Sequence, residues 1–119
     1  MPAIINAELG KLTITDEIIT TIAGYATIEN YGVVGMASQT AADGIAELLK
    51  RENVKKGVVV STANNVITID VYIIVEYGVS LNAVAQNIIE NVAYRVRETT
   101  GLTVECVNVH VEGIRVQPS

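Results

Sequence analysis

The 119-residue sequence contains no tryptophan, no phenylalanine, a single cysteine and a single histidine. With five tyrosines as the only other large aromatics, the core must be built from isoleucine, valine and alanine, which suits a close-packed sheet beneath helices. The lone Cys106 cannot close an internal disulfide, and this fits a reducing cytoplasm. Uninterrupted apolar runs stop at about five residues, far short of the roughly 20 that a spanning helix requires. Direct membrane insertion is therefore not expected. The opening MPAIINAELGK joins no basic leader to an apolar block, so no secretory signal is expected either. Positive charge is also scarce. A net charge of −5 and an isoelectric point near 4.7 argue against a nucleic-acid partner, and against adsorption to anionic lipid headgroups. Contact with a membrane protein stays open.

What the chain does have is the stretch Val66 to Tyr77. Ile67, Ile69, Val71, Ile73 and Val75 form an unbroken β-branched stripe at a spacing of two, the signature of a long strand with one face in the core. The other face carries Val66, Thr68, Asp70, Tyr72, Ile74 and Glu76, which is mixed rather than plainly solvated. The length fits a single domain over residues 1–119, with this strand at its centre.

Around it the chain divides cleanly. Leu12 and Ile14 mark a short N-terminal strand. Thr15 stands where a helix N-cap is expected, before Asp16 and Glu17, and helical spacing from Ile18 to Ala26 predicts a helix from residue 16 to about 30, ended by Gly32. Tyr31–Ala37 reads as an apolar connection. A second, shorter helix should follow, with Ile45, Leu48 and Leu49 inward and Lys50 and Arg51 at its C-terminal end. Gly57–Ala63 and Val66–Tyr77 predict a β-hairpin, 57–77, turning at Asn64-Asn65. Ser80 should cap a third helix that turns Leu81, Val84, Ala85, Ile88, Val92 and Val96 inward and closes at Gly101. A C-terminal strand, 102–116, completes the chain. A helix between two strands implies a right-handed crossover, so that last strand should run parallel to 66–77. The fold class is α+β: a small mixed sheet packed with about three helices.

Residues able to carry chemistry are few. Cys106 and His110 are four apart on a strand, roughly 13 Å of rise, while zinc bonds are about 2 Å long. Within one chain an unbroken strand cannot bring both to one metal, and a site would need carboxylates or a symmetry partner. Asp70 sits mid-strand among apolar neighbours, and the sequence identifies no second group for acid–base work. A cross-strand polar contact is the plainer reading of it. Glu105 and Glu112 are an odd number apart and should face opposite ways. Gly32 and Gly35 frame a G-x-x-G whose interior, Val33-Val34, suits close packing better than phosphate binding. No phosphate-loop or serine-elbow pattern occurs, so nucleotide hydrolysis and Ser-His chemistry have no footing. Neither an enzyme nor a bound cofactor is expected.

Surface is what remains. Tyr72 and Ile74 on the less buried face of the central strand, with His110 and Ile114 on the last strand, make a half-apolar patch that calls for either a covering helix layer or a protein interface. Lys50, Arg51, Lys55 and Lys56 form the one basic cluster, either solvated surface or a docking patch for an acidic partner.

The ordered segments GKLTIT, the following Ile18–Ala23 helix start, YGVVGMA, IDVYIIVEYGVSL and TGLTVECVNVHVEGI together resemble the alkaline-shock/general-stress family of Gram-positive bacteria. The likeness covers roughly residues 8–116 and is closest to the short, single-domain members. It implies a non-enzymatic cytoplasmic protein of cell-envelope stress response or homeostasis, self-associating into homo-oligomers and docking to a small membrane-anchored protein. Short members are often encoded beside a kinase of the fatty-acid/dihydroxyacetone type. The resemblance thus also implies an alternative role, as an accessory or small-ligand-binding subunit of such a kinase. It supplies no catalytic residues.

Overall fold

The computed structural model describes residues 2–38, 46–48 and 55–116. Its elements are β1 (Ala3–Ala7), β2 (Gly10–Ile14), α1 (Asp16–Ile28), β3 (Val33–Ser38), β4 (Ala46–Leu48), β5 (Val58–Ala63), β6 (Val66–Glu76), α2 (Leu81–Thr100) and β7 (Thr103–Arg115). β1 and β2 form a two-stranded sheet of their own, and the other five strands form one mixed sheet.

β6 is the axis of that larger sheet. Along one edge it pairs in parallel with β7 from Val66↔Thr103 to Glu76↔Arg115. Its other edge is shared: β5 pairs antiparallel with Val66–Val71, and β3 pairs antiparallel with Ile73–Val75. The β-branched stripe of the sequence is the buried one, with Ile67, Ile69, Val71, Ile73 and Val75 wholly inaccessible. α1 lays Ile19, Ala23 and Ala26 on it, and α2 lays Val84, Ile88, Val92 and Val96. The helices are also tied to each other, by an Asn91–Asn30 hydrogen bond and by Arg95 Nη1–Glu29 Oε1 at 3.0 Å.

Local signals act as expected at several ends. Asn64 and Asn65 take φ of 54° and 64°, the left-handed pair that a tight hairpin turn with the strands' own twist requires. Ser80 Oγ accepts the Ala83 N–H, and Gly101, at φ 78°, closes α2 by donating to the Arg97 carbonyl at 2.8 Å. β7 runs parallel to β6, as the crossover demands.

Other expectations are corrected. Two helices, not three, occur among the described residues. Residues 46–48, placed in the short second helix, form β4 and pair antiparallel with β3, so a neighbouring strand edge overrides local helical pattern there. The remainder of that helix, including Ile45, Leu49, Lys50 and Arg51, lies outside the described residues. Tyr31–Ala37 is not a mere connection, because most of it is β3. α1 stops at Ile28, before Gly32: the buried Asn30 side chain donates to the carbonyls of Ala26 and Thr27 and so satisfies the helix end. Thr15 holds the N-cap position, yet its side chain makes no capping bond. Leu81, expected inward, is exposed at the start of α2. A strand at Ala3–Ala7, not anticipated, pairs with the expected one at Gly10–Ile14.

The chain is closely packed at the junction where β3 and β5 share the edge of β6. A Cβ on Gly57 would stand 2.7 Å from Met36 Cβ and 3.1 Å from the Ala37 carbonyl oxygen. Backbone cannot yield as a side-chain tip can, so Gly57→Ala should cost about 1–3 kcal/mol by overpacking. Chemical denaturation checks this, and an unchanged midpoint would show that the two strands can separate freely.

Candidate interaction face of the sheet

Both described helices lie on the Ile67–Val75 side of the sheet. On the other side the register aligns Thr68 with Cys106, Asp70 with Asn108, Tyr72 with His110 and Ile74 with Gly113. These residues form a connected group. His110 Nε2 lies 3.0 Å from Asp70 Oδ1, and Asn108 Nδ2 donates to that same oxygen at 3.1 Å. The His110 ring stacks on Tyr72, with centroids 4.4 Å apart and planes inclined by 13°. Asn108 also lies 3.9 Å from Cys106 Sγ. Asp70, for which the sequence offered no identifiable partner, therefore has two. Both sit on the adjacent parallel strand, about 40 residues on (Asp70 to His110).

Of the four residues expected to form the half-apolar patch, two are in contact, a third shares their face but is buried, and the fourth lies off it. Tyr72 and His110 stack. Ile74 is buried over Gly113, where a Cβ would come within 3.0 Å of Ile74 Cδ1. Ile114 departs from the row. β7 carries a bulge between its pairings with Ile73 and Ile74, Glu112 is the inserted residue, and Ile114 falls opposite core-facing Val75 instead. A second bulge inserts Glu105 between the partners of Ile67 and Thr68. One extra residue reverses the facing of everything after it until the strand compensates. The odd spacing of Glu105 and Glu112 thus does not set their faces, since each is itself the extra residue of a bulge.

Chemically, the group offers an aromatic platform, a histidine oriented by a carboxylate, and an amide. An Asp–His pair becomes a nucleophile-activating unit only with a hydroxyl or thiol held at hydrogen-bond distance from the free ring nitrogen. Cys106 touches Asn108, not His110. Among the described residues no three His, Cys, Asp or Glu side chains converge on one point. What the arrangement supplies is a flat, partly apolar surface with fixed donors and acceptors.

Of the basic cluster, Lys50 and Arg51 lie outside the described residues, whereas Lys55 and Lys56 are exposed just before β5. Lys55 is tied to α1 by a 2.8 Å bond from Nζ to Glu17 Oε1. That hydrogen bond, together with the ammonium's charge, holds the Glu17 carboxyl below its ordinary value. A depressed carboxylate favours the fold above its ordinary titration range, and the preference is lost as pH falls through the folded value. Lys55→Ala should therefore move Glu17 up toward the ordinary value, as read by carboxyl-carbon NMR titration, with little change in melting temperature because both groups are exposed. A Glu17 titration that does not move would show that the pair does not persist in solution.

One further feature escaped the sequence reading. Tyr31 and Tyr77, both largely exposed, flank a shallow cleft of about 420 Å³ at the start of α2. Each abuts a glycine of positive φ, Gly32 and Gly78. That adjacency is the signal that sets the rings at turns, where they cannot be covered by their own element.

Fold and face together define a small α+β domain with one sheet face under both described helices, a polar-aromatic face that neither of them covers, and no helix long and apolar enough to cross a membrane among the described residues. The chain belongs to the ASP23 (alkaline-shock) family, which has a cell envelope-related function and matches it over residues 4–116. It is 42% identical over 113 residues to the uncharacterized protein YloU of Bacillus subtilis (strain 168), covering 94% of each chain. It is also 42% identical over 113 residues to the uncharacterized protein Spy1614 of Streptococcus pyogenes serotype M6, covering 94% of this chain and 93% of the other. Uncharacterized YqhY of Bacillus subtilis is 39% identical over 110 residues, with 92% of this chain and 81% of that one covered. No solved structure matches the chain.

Proposed function

We propose that this chain is a non-enzymatic interaction protein of the cell envelope, acting from the cytoplasm by self-associating and docking to a membrane-anchored protein. The observation that carries the reading is the stacked Tyr72–His110 pair, braced by Asp70, on a sheet face that neither described helix covers. Stacking and the carboxylate contact restrict both rings before a partner arrives, so less side-chain entropy is lost on docking. Tyrosine is also among the residue types that dominate binding energies at protein interfaces. Ile74, buried over Gly113, supports that face from below, and Ile114 lies off it, opposite core-facing Val75. Lys50, Arg51, Lys55 and Lys56 would add a basic site for acidic residues of the partner.

The test is capture with the tagged protein from source cells, with detergent-solubilised membrane and soluble fractions identified separately. Enrichment of a small membrane protein supports the reading, and an empty membrane fraction overturns the membrane-docking part. A second reading draws on the Tyr31–Tyr77 cleft: an accessory or small-ligand-binding subunit of a fatty-acid/dihydroxyacetone-type kinase. Kinase kinetics that do not change when the protein is added would count against it.

A further inference from the structure

The β1–β2 hairpin is anchored to the body at its base and free beyond it. Ala3 and Ile14 are buried in the core, and Ile5 is partly buried against it. From Asn6 to Thr13 every residue is exposed. The apolar character does not stop where burial stops. The face that enters the core at the Ala3/Ile14 pair continues through Ile5/Leu12 to Ala7/Gly10, with Leu12 52% accessible and Leu9, at the turn, wholly so. A ribbon of two strands is at best marginally stable by itself, yet this one carries its apolar face beyond the body.

Its two edges differ. On β1 the Asn65 side chain closes the edge: Ile4 N–H donates to Asn65 Oδ1 at 3.0 Å, and Asn65 Nδ2 donates to the Ile4 carbonyl at 2.9 Å. Ile4 thus directs both backbone groups away from β2, which makes Ile4/Thr13 a non-hydrogen-bonded pair of the ladder. Thr13 must then direct its own N–H and carbonyl outward along β2, and by alternation Lys11 does the same. No backbone partner for these four groups occurs among the described residues.

We propose that the β2 edge is an interface with a second copy of this chain, antiparallel about a twofold axis through Leu12. In that register Lys11 exchanges two hydrogen bonds with the partner's Thr13, and Thr13 does so with the partner's Lys11. Leu12 faces the partner's Leu12 as the close, non-hydrogen-bonded pair. The two ribbons become one four-stranded sheet whose apolar sides are continuous. Charge favours a like copy at this place: residues 3–14 carry one acid, Glu8, and one base, Lys11, for a net of zero in a chain of net −5. Two acidic molecules meet here without accumulating like charge. A lysine on an edge strand commonly guards against pairing, but here it lies opposite a neutral threonine, and alternation turns its side chain to the face away from Leu12. The inference rests on the self-association in the proposed function and gives it a surface separate from the Tyr72 face.

Light scattering on the full chain tests it, comparing wild type with Thr13→Pro and Leu12→Glu. Proline at position 13 removes an N–H that the β1–β2 ladder does not use, and glutamate at 12 sets two carboxylates at the closest approach. The expected result is a dimer for wild type and a monomer for each variant, with unchanged circular dichroism. Independently, Cys106→Ser/Leu12→Cys should oxidise to a disulfide-linked dimer, and this decides the matter should either variant unfold. Variants that keep the wild-type mass, with no cross-link through position 12, overturn this interface but leave association through another surface. A wild-type chain that stays monomeric at millimolar concentration overturns the interface and the self-association reading together.

Discussion

Ile69→Ala is expected to remove about 3–4 kcal/mol of folding stability and lower the melting temperature by about 12–16 °C. Ile69 is wholly buried at the centre of β6, flanked by Val60 on β5 and Val107 on β7. Three deleted carbons leave a cavity between strands locked by ladders on both sides, and the surrounding structure can collapse only in part. A domain of this size is stable by about 5–15 kcal/mol, so the loss is a large fraction of the whole. Val59→Ala supplies the contrast. Val59 is opposite Asp70, one position along the same ladder but on the open face and exposed. It should change stability by about 0.5 kcal/mol or less. Equal melting temperatures for the two variants would mean that the β-branched stripe is not the core.

The same strand explains which parts of the fold could be read in advance. β6, α1, α2 and β7 are long enough for a period of two or of 3.6 to repeat several times, and their ends carry residues with a specific backbone role, such as Asn64-Asn65, Ser80 and Gly101. β4 is three residues long, too short for a period to show, and β1, although as long as the expected β2, opens on three consecutive apolar residues, Ala3, Ile4 and Ile5, so no alternation stands out. β3 is split by Gly35 and a bulge at Val34, so its pattern looks like a punctuated connection. At the open face, Tyr72, Ile74 and His110 could be placed together because a crossover helix makes β7 a parallel neighbour of β6. Ile114 could not be placed, because its facing depends on the Glu112 bulge, which leaves no mark in residue type. Asp70's contacts with Asn108 and His110 were hidden for a related reason. They follow from the exact register of two strands separated by a 20-residue helix, and the Glu105 bulge shifts that register before Asp70 is reached.

Tyr72→Glu should abolish capture of the proposed membrane-anchored partner while leaving the domain folded. The side chain is half-buried on the open face, and the core stripe does not include it. Its loss forfeits the stack on His110, about 0.5–1.5 kcal/mol, a small part of the domain's stability. The new carboxylate would lie on the same face of β6 as Asp70, two residues along, in an already acidic chain. Docking then requires burying a charge beside another of the same sign, with the aromatic anchor gone. Removing a central aromatic anchor commonly costs 2 kcal/mol or more, about a 30-fold loss of affinity, and the unpaired charge adds to it. Tyr72→Phe separates the contributions. It keeps the ring and its stack on His110 and removes only the hydroxyl, so capture should stay near wild type if the ring is the anchor. Binding should be measured beside circular dichroism on the same samples. Wild-type capture by a folded Tyr72→Glu protein would exclude this sheet face as the docking surface and turn attention to the Tyr31–Tyr77 cleft.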